Sequence, residues 1–284
     1  MNIFRLVLVL MFSMFANTFL FAKAVHVHKN IDYVKSSVAD YDPVRHKLDV
    51  YEPKKGKSTG KVLVFIHGGS WDTGKKESYR FLGKAFAKNG IVTVVINYRL
   101  SPSAKYEAIT YDCARAIAWV KDSISNYGGN AKEIFVAGHS AGGHLAALLC
   151  TDATFFKKVG IENPIKGCIL NDPFGLDMYT YLDHGYKGDA SFRVTFTNAP
   201  NVWKKGSPMY YVSKTSIPYY IIRGGNTYPA IISDSKKFHE LNIALGNQSE
   251  LHIVKKKTHI PMVLLYFRKN NKELKKTVDF MNSH

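Results

Sequence analysis

The sequence predicts an α/β fold in which helices cover both faces of a mostly parallel central β-sheet. From residue 25 onward, short β-branched runs alternate with amphipathic helical patterns, as they do in parallel α/β proteins. The run at 61–66 is apolar after Lys61, which is typical of a strand buried on both faces, and the run at 91–96 is another β-branched strand. The alternation stops at 171–216, so we predict that this stretch forms a small cap over the sheet.

The elements of the first half follow from local patterns. Residues 78–88 are predicted to be helical and to end at Asn89-Gly90, because glycine favours the left-handed conformation that closes a helix. Residues 106–125 repeat apolar side chains at helical spacing. Strands are predicted at 25–33, 47–51, 61–66 and 91–96.

The second half continues the alternation on both sides of the cap. Strands are predicted at 133–137, 164–170, 217–223 and 251–255, and helices at 144–150, 231–245 and 261–281. Residues 25–284 are therefore predicted to be one domain, with the cap as an insertion, and this length is sufficient for a sizeable core.

The first 24 residues have the pattern of a secretory signal peptide. Arg5 precedes an apolar run, and Ala22-Lys23-Ala24 has the small-x-small pattern of a cleavage site. The alternative is an uncleaved membrane anchor. Polar residues interrupt the apolar run, so its length is marginal for a membrane span. We expect a mature chain that begins near Val25, is secreted or periplasmic, and keeps no stable membrane span after signal cleavage.

The formal net charge of +17 indicates a strongly basic surface. The lysine clusters are scattered over loops and the last predicted helix, and no nucleic-acid-binding motif accompanies them. A solvated basic surface explains this pattern better than attraction to nucleic acid, anionic lipid or an acidic glycan. We therefore expect no nucleic-acid partner, and the sequence does not indicate an oligomeric state.

Three cysteines, Cys113, Cys150 and Cys168, are too few for a disulfide framework. All three fall in helix or strand patterns and are predicted to be small buried hydrophobic residues, although pairing of two of them stays open. Neither H-E-x-x-H nor a Cys/His spacing typical of metal ligands is present. No metal site and no cofactor are predicted.

Ser140 lies in the segment Gly138-His139-Ser140-Ala141-Gly142, which matches G-x-S-x-G. An apolar strand precedes the segment and a helical pattern follows it, and a serine at such a sharp turn presents its hydroxyl above the sheet. The glycines leave space beside the turn, and the helix N-terminus favours developing negative charge. We interpret Ser140 as a nucleophile; an accidental match at a helix cap is the alternative.

A serine hydroxyl needs a base before it attacks a carbonyl carbon. When a G-x-S-x-G serine is the nucleophile, the acid and then the histidine follow it along the chain. His259 follows the last predicted strand, which is the position expected for that histidine. His139 and His144 lie too close to Ser140 in the chain to reach its hydroxyl. His67 is predicted to be structural, while His26 and His28 alternate on an early strand and are predicted to be at the surface.

The developing oxyanion needs hydrogen-bond donors. His67-Gly68-Gly69-Ser70 follows a buried strand, and its small residues allow close approach of backbone N–H groups to a substrate. We predict an oxyanion hole from Gly68, Gly69, Ser70 and Ala141, with the donors supplied by the last three residues. An ordinary turn at the glycine pair is the alternative.

Four segments together resemble the α/β-hydrolase carboxylesterases of the HGG type, which include hormone-sensitive-lipase-like and feruloyl-esterase-like domains. These segments are His67-Gly68-Gly69-Ser70-Trp71, Gly74-Lys75, Asn97-Tyr98-Arg99-Leu100-Ser101-Pro102 and Gly138 to Leu145. The resemblance also includes residues 48–53 and Ser207-Pro208 and covers about residues 45–282. It implies the α/β-hydrolase fold and a serine-dependent ester hydrolysis, but it does not identify the substrate.

One position departs from this resemblance. The acid that orients the histidine is expected in a turn after the penultimate strand, where this chain has Thr227. We consider Asp172 first, because it follows the preceding strand as in some lipases, although it is also a good turn residue before Pro173. Asp177 and Asp234 are further candidates. The fourth possibility is a dyad in which Thr227 or a backbone carbonyl holds the histidine.

These residues predict a secreted serine esterase that acts on a small or medium carboxylic ester through an acyl-enzyme, with a small-molecule ester as its partner. The tyrosine-rich stretch at 178–186 is a candidate aromatic wall for that ester, or else part of the core of the cap. The alternative function is that of a catalytically degenerate relative, which binds a ligand or partner without turnover. Only Thr227 favours that alternative, because Ser140 and His259 are both present.

Overall fold

One mixed β-sheet forms the centre of the protein. The computed structural model describes residues 25–184, 190–215, 217–267 and 271–284, and the predicted signal peptide at 1–24 lies outside them. The strands are β1 (Val25–Asp32), β2 (Lys47–Pro53), β3 (Val62–Ile66), β4 (Val92–Ile96), β5 (Ile134–His139), β6 (Ile165–Asn171), β7 (Tyr219–Gly224) and β8 (Ser249–Val254). Across the sheet their order is β1-β2-β4-β3-β5-β6-β7-β8.

The pairing confirms the prediction of a mostly parallel sheet. Strands β3 to β8 are parallel to their neighbours within that group, whereas β1 and β2 extend one edge by antiparallel pairing. Strand β3 lies between β4 and β5, and Ile66 pairs with Gly138. The loops that follow β3 and β5 therefore leave the sheet side by side, at the kind of position where open α/β sheets bind ligands.

Helices cover both faces of the sheet. The prediction of a single helix at 261–281 is wrong: a 3₁₀ turn follows a short helix there, and Asn271 begins a separate helix by accepting a hydrogen bond from the Glu273 N–H. The helices are α1 (Arg80–Lys88), α2 (Tyr106–Ser123), α3 (Ala141–Thr151), α4 (Thr154–Lys158), α5 (Met178–Asp183), α6 (Ala190–Phe196), α7 (Pro200–Lys205), α8 (Pro229–Ala244), α9 (His259–Val263) and α10 (Lys272–Ser283).

Two apolar layers enclose the sheet. Strand β3 contributes to both, because successive side chains of a strand point to opposite faces. Val64 and Ile66 pack in the layer that contains α2 and α3, while Leu63 and Phe65 pack in the layer that contains α1 and α10. This arrangement explains why the run at 61–66 is apolar at every position after Lys61.

The stretch in which the alternation stops contains α5, α6 and α7, between β6 and β7. It places aromatic side chains over the carboxyl ends of the parallel strands. Cys113, Cys150 and Cys168 are buried, as predicted, and all three are free thiols. In the part of the chain that the structure describes, no helix combines the length and the apolar character needed to cross a bilayer.

Candidate active site

Ser140, His259 and Asp172 form a continuous chain of hydrogen bonds at the carboxyl end of the sheet. The distance from His259 Nε2 to Ser140 Oγ is 2.8 Å, and that from His259 Nδ1 to Asp172 Oδ2 is 2.6 Å. Asp172 is fully buried, and the His259 side chain is 11% exposed. The three residues come from the ends of β5 and β6 and from the start of α9, so only the fold brings them together.

The backbone at Ser140 has the strained conformation expected of a nucleophile between a strand and a helix. Its φ is 57° and its ψ is −123°, a region that side-chain-bearing residues rarely adopt. A Cβ on Gly138 would lie 2.1 Å from the Gly142 carbonyl oxygen, and one on Gly142 would lie 2.1 Å from the Ile66 carbonyl oxygen. The turn therefore packs against β3 only because both residues are glycines.

The Asp172 carboxylate lies where the acid that orients His259 is expected, although the turn after β7 has Thr227 instead of an acid. Its Oδ1 accepts a hydrogen bond from the Gly224 N–H at 2.8 Å, and its Oδ2 accepts one from the Thr227 hydroxyl at 2.5 Å. The carboxylate that contacts His259 thus follows β6, and the end of β7 and the turn after it supply donors to this carboxylate. Thr227 binds the carboxylate rather than His259, so it no longer favours a degenerate site.

Asp177 and Asp234 have other partners. Asp177 caps α5 by accepting hydrogen bonds from the Thr180 N–H and hydroxyl. Asp234 lies on α8 and is hydrogen-bonded to the Asp177 backbone. Burial, together with the nearby Asp177 charge, raises the pKa of Asp234 to about 7. Among the described residues, Asp172 is the carboxylate that contacts His259.

The loop after β3 borders the same cavity as Ser140. Gly68, Gly69, Ser70 and Ala141 all line this cavity. The Gly68 N–H donates to the Tyr79 hydroxyl at 3.4 Å, whereas no acceptor among the described residues takes the N–H groups of Gly69, Ser70 and Ala141. Because Gly68 has no side chain, the loop can lie close to Ser140. The N–H groups of Gly69, Ser70 and Ala141 remain available to a substrate oxygen.

Polar side chains that are buried or half-buried hold this loop, and among them the sequence predicts a structural role only for His67. Tyr98 donates to the His67 carbonyl oxygen at 2.7 Å. Arg45 donates to His67 Nε2 at 3.3 Å, so His67 Nδ1 carries the proton and donates to the Gly68 carbonyl oxygen at 2.8 Å. Burial lowers the pKa of His67 to about 3, which keeps it neutral in this arrangement.

Further polar residues in and around the segments that carry the family resemblance bind one another behind the residues that contact the loop. The buried Lys76 ammonium contacts the Asp49 carboxylate at 2.7 Å, and the Lys76 N–H donates to Asn97 Oδ1 at 2.7 Å. Arg99 binds both oxygens of Asp112. Proximity to those segments was the one available signal, because nothing in the local spacing of these residues indicates their partners.

His139 positions the general-base candidate. Its ring stacks on the His259 ring, with centroids 4.7 Å apart, and its Nε2 donates to the His259 carbonyl oxygen at 3.2 Å. Burial, with a smaller effect of the adjacent His259, lowers the pKa of His139 to about 4. The sequence correctly predicted that His139 does not bond to the serine hydroxyl, but it gave no indication of this contact.

His144 connects the serine turn, the loop after β3 and the cap. Its Nδ1 accepts a hydrogen bond from Trp71 Nε1 at 3.2 Å, and its Nε2 donates to the Gly206 carbonyl oxygen at 2.6 Å. Burial lowers the pKa of His144 to about 4, consistent with the neutral ring that these two bonds require. The fully buried Trp71 ring also packs edge-on against Phe196 of the cap.

The cavity above Ser140 has a volume of about 590 Å³. Its lining is largely apolar, and its walls come from the loop after β3, the cap and the start of α8. Of the candidate aromatic wall at 178–186, Tyr181 lines the cavity, while residues 185 and 186 lie outside the described part of the chain. The aromatic lining residues are Tyr79, Phe174, Tyr181, Phe192 and Tyr228.

Comparisons with known proteins place this geometry in a family context. The BD-FAE family profile matches residues 48–241. The isoprenylcysteine alpha-carbonyl methylesterase ICME of Arabidopsis thaliana is 26% identical over 248 residues, which cover 81% of this chain and 57% of the relative. The probable carboxylic ester hydrolase LipM of Mycobacterium tuberculosis is 41% identical over 216 residues, covering 71% and 49%. The chain thus spans about half the length of these curated relatives.

Solved structures share the architecture. Esterase B of Lactobacillus Rhamnosis, in its crystal structure with a tributyrin phosphonate, superposes with a TM-score of 0.76. The sequence identity is 17%, and the match covers 99% of this chain and 92% of that one. At this level of identity the likeness concerns the fold alone.

Proposed function

Because the chain belongs to the BD-FAE family of α/β-hydrolase esterases, we propose that it is a serine esterase that hydrolyses a small or medium carboxylic ester through an acyl-enzyme. The resemblance to HGG-type esterases and the α/β-hydrolase fold predicted from it are both confirmed. The observation that carries the proposal is the chain of hydrogen bonds from Ser140 through His259 to Asp172, beside three available N–H groups.

In the first step Ser140 Oγ attacks the ester carbonyl carbon while His259 Nε2 takes the hydroxyl proton. The Asp172 carboxylate accepts a hydrogen bond from the protonated Nδ1 of His259, so Nε2 faces the serine without a proton and is ready to act as a base. The same carboxylate stabilises the imidazolium that forms. His259 then protonates the leaving alcohol, and the acyl group stays on Ser140.

The carbonyl oxygen becomes negatively charged in this step. The N–H groups of Gly69, Ser70 and Ala141 border the cavity beside Ser140 and are the proposed donors to it. Ala141 is also the first residue of α3, so the positive end of that helix favours the charge. Water activated by His259 then attacks the acyl-enzyme and releases the acid.

The cavity supports an ester of limited size with an apolar or aryl portion. A volume of about 590 Å³ falls within the usual range for small-molecule sites. The ring centroids of Phe174 and Phe192 are 5.4 Å apart, and the two rings offer an apolar wall. The curated relatives include a methylesterase and a carboxylic ester hydrolase, which agrees with this class of substrate.

A covalent probe tests the proposal directly. We expect a fluorophosphonate to add one adduct mass to the purified protein and to abolish hydrolysis of p-nitrophenyl butyrate. The Ser140→Ala variant should neither react nor hydrolyse the ester. Labelling that persists in this variant would refute the assignment of the nucleophile. If the wild-type protein shows neither labelling nor hydrolysis between pH 5 and 9 on acetyl to octanoyl esters, the esterase proposal is wrong.

Export from the cytoplasm is part of the proposal and rests on the pattern at residues 1–24. Intact-mass measurement and N-terminal sequencing of the protein recovered from the producing cells test it. A chain that begins near Val25 in the extracellular or periplasmic fraction is expected. An unprocessed chain in the cytoplasmic fraction contradicts it.

A further inference from the structure

Two histidines and a glutamate meet on one face of the sheet, at its antiparallel edge. His26 and His28 are two residues apart on β1, so their side chains point to the same face. Glu52 of β2 pairs directly with His26 in the strand register. The distance from Glu52 Oε2 to His28 Nε2 is 2.8 Å, and that to His26 Nδ1 is 3.6 Å.

The two imidazoles also lie next to each other. Their ring centroids are 4.3 Å apart, and one ligand atom from each of the three residues lies within 4.8 Å of the others. Ligand atoms around a tetrahedral Zn²⁺ lie roughly 3.3 Å apart, given metal–ligand bonds of about 2 Å. Small side-chain rotations therefore bring all three atoms to coordination distance, and the His26 side chain, 69% exposed, is free to make them.

We propose that His26, His28 and Glu52 bind a divalent transition-metal ion of the Zn²⁺ type. Two neutral imidazoles and one carboxylate form a donor set that suits zinc and its neighbours, whereas Mg²⁺ and Ca²⁺ prefer oxygen ligands. The carboxylate offsets part of the metal charge. The half-exposed position leaves room for water as a further ligand.

The surroundings orient part of this site. The Tyr127 ring contacts the His28 ring edge-on, with centroids 4.7 Å apart, and in turn packs near the Trp119 ring. His28 and Glu52 are thus half-buried, with side chains 29% and 30% exposed. Ligands that packing already restricts lose less conformational freedom when an ion binds.

The site is remote from the ester-binding cavity. Leu48 of β2 pairs with Ile96 at the carboxyl end of β4, and Tyr51 pairs with Thr93 near its amino end. Glu52 therefore lies toward the amino ends of the parallel strands, while Ser140 lies at their carboxyl ends. The bound ion would join β1 to β2 and stabilise the edge of the sheet without entering the ester reaction.

A second histidine–glutamate pair provides a matched comparison. His252 Nε2 contacts Glu273 Oε2 at 2.9 Å, but its other neighbour is the Lys276 ammonium rather than a second imidazole. An ammonium group repels a metal cation and offers no lone pair while it is protonated. A pair of this kind is expected to bind zinc poorly, so it separates the proposed three-ligand site from an ordinary ion pair.

The test is calorimetric titration of the purified protein with ZnCl₂. The protein is prepared without a polyhistidine tag, treated with a chelator, dialysed, and titrated in 0.15 M NaCl, where long-range repulsion from its positive charge is screened. One zinc per chain is expected, with a higher Tm in its presence, and MgCl₂ at the same concentration should produce neither effect.

Substitution of each ligand identifies the site. Loss of an outer-shell partner already weakens metal binding about 10- to 100-fold, so His28→Gln and Glu52→Gln should each weaken it at least about tenfold. His26→Gln should also weaken binding, and the His252→Gln control should match the wild type. Circular dichroism of each variant establishes that it is folded.

Two results would overturn the proposal: no zinc uptake by the wild-type protein at millimolar zinc, or wild-type affinity in all three ligand variants. Neither result depends on ester hydrolysis, so the outcome is independent of the proposed function.

Discussion

Replacement of Asp172 by asparagine tests the proposed mechanism most sharply. The side chain keeps its size, but one oxygen becomes an NH₂ group that donates and cannot accept. In the native protein both oxygens accept: Oδ1 from the Gly224 N–H, and Oδ2 from the Thr227 hydroxyl and His259 Nδ1. In the variant, at least one of these bonds must therefore be lost or reverse its direction.

The geometry indicates which bond reverses its direction. The Gly224 N–H belongs to the end of β7 and can only donate, so it requires the amide oxygen of the substituted side chain on its side. The NH₂ group then faces His259 Nδ1, which must accept. The ring consequently carries its proton on Nε2, facing Ser140, and this tautomer cannot take the serine proton.

The magnitude follows from the loss of the correct tautomer and of the negative charge beside the imidazolium. Asparagine in place of the triad acid lowers kcat about 10⁴-fold in a well-characterised serine protease. A loss of that size corresponds to about 5.4 kcal/mol of transition-state stabilisation. We expect an effect of the same order here, because Asp172 is fully buried and solvent cannot replace its charge.

Steady-state hydrolysis of p-nitrophenyl butyrate measures the effect, and thermal unfolding shows whether the variant is folded. Asp177→Asn is the matched control: it makes the same chemical change in the neighbouring segment, and asparagine also caps helices well, so near wild-type kcat is expected. A folded Asp172→Asn protein that keeps more than about a tenth of the wild-type kcat would refute the role of Asp172.

Three further predictions concern Thr227, Asp234 and the buried cysteines. Thr227→Val removes one donor to Asp172 and should lower kcat about tenfold, near 1.4 kcal/mol, while Thr227→Ser should retain most activity; equal rates for both would contradict a supporting role. The raised pKa of Asp234 means that the folded state holds its proton more tightly, so its contribution to stability is full below about pH 4 and is lost as the pH rises to about 7. Asp234→Asn should therefore be more stable than wild type at pH 8, by at most about 4 kcal/mol in urea unfolding, with the difference shrinking toward pH 4; no dependence on pH would contradict the assignment. All three cysteines are buried free thiols, so a thiol reagent should react slowly with native protein and with three groups after denaturation; fewer than three would indicate a disulfide.

Local patterns predicted most of the fold. Buried strands such as Val62–Ile66 and Val92–Ile96 show their burial in composition, because both neighbours and both covering layers leave little space for polar side chains. The buried Thr93 is accommodated because its hydroxyl donates to the Ile91 carbonyl oxygen. Boundaries shifted by a few residues where caps and strand ends depend on contacts with other segments. The division of the last predicted helix depends on Asn271, whose capping bond to Glu273 restarts the helix.

Site residues differ in how far the sequence identifies them. Ser140 has its motif in adjacent positions, and His259 has a characteristic place after the last strand, so local sequence predicts both residues. Asp172 is the first of several candidates that the sequence leaves open. The roles of His139 and His144 were not predicted, since their partners His259 and Gly206 are distant in the chain.

The sequence alone determined the alternating strands and helices, the strained serine turn, and the glycine loop beside it, because each depends on the spacing of neighbouring residues. Tertiary structure decided which carboxylate contacts His259. That choice depends on β6 and β7 lying side by side, so that a carboxylate from the end of one strand reaches donors from the turn after the other. It likewise brought Glu52 to His26 and His28, since only strand register joins residues that are far apart in the chain.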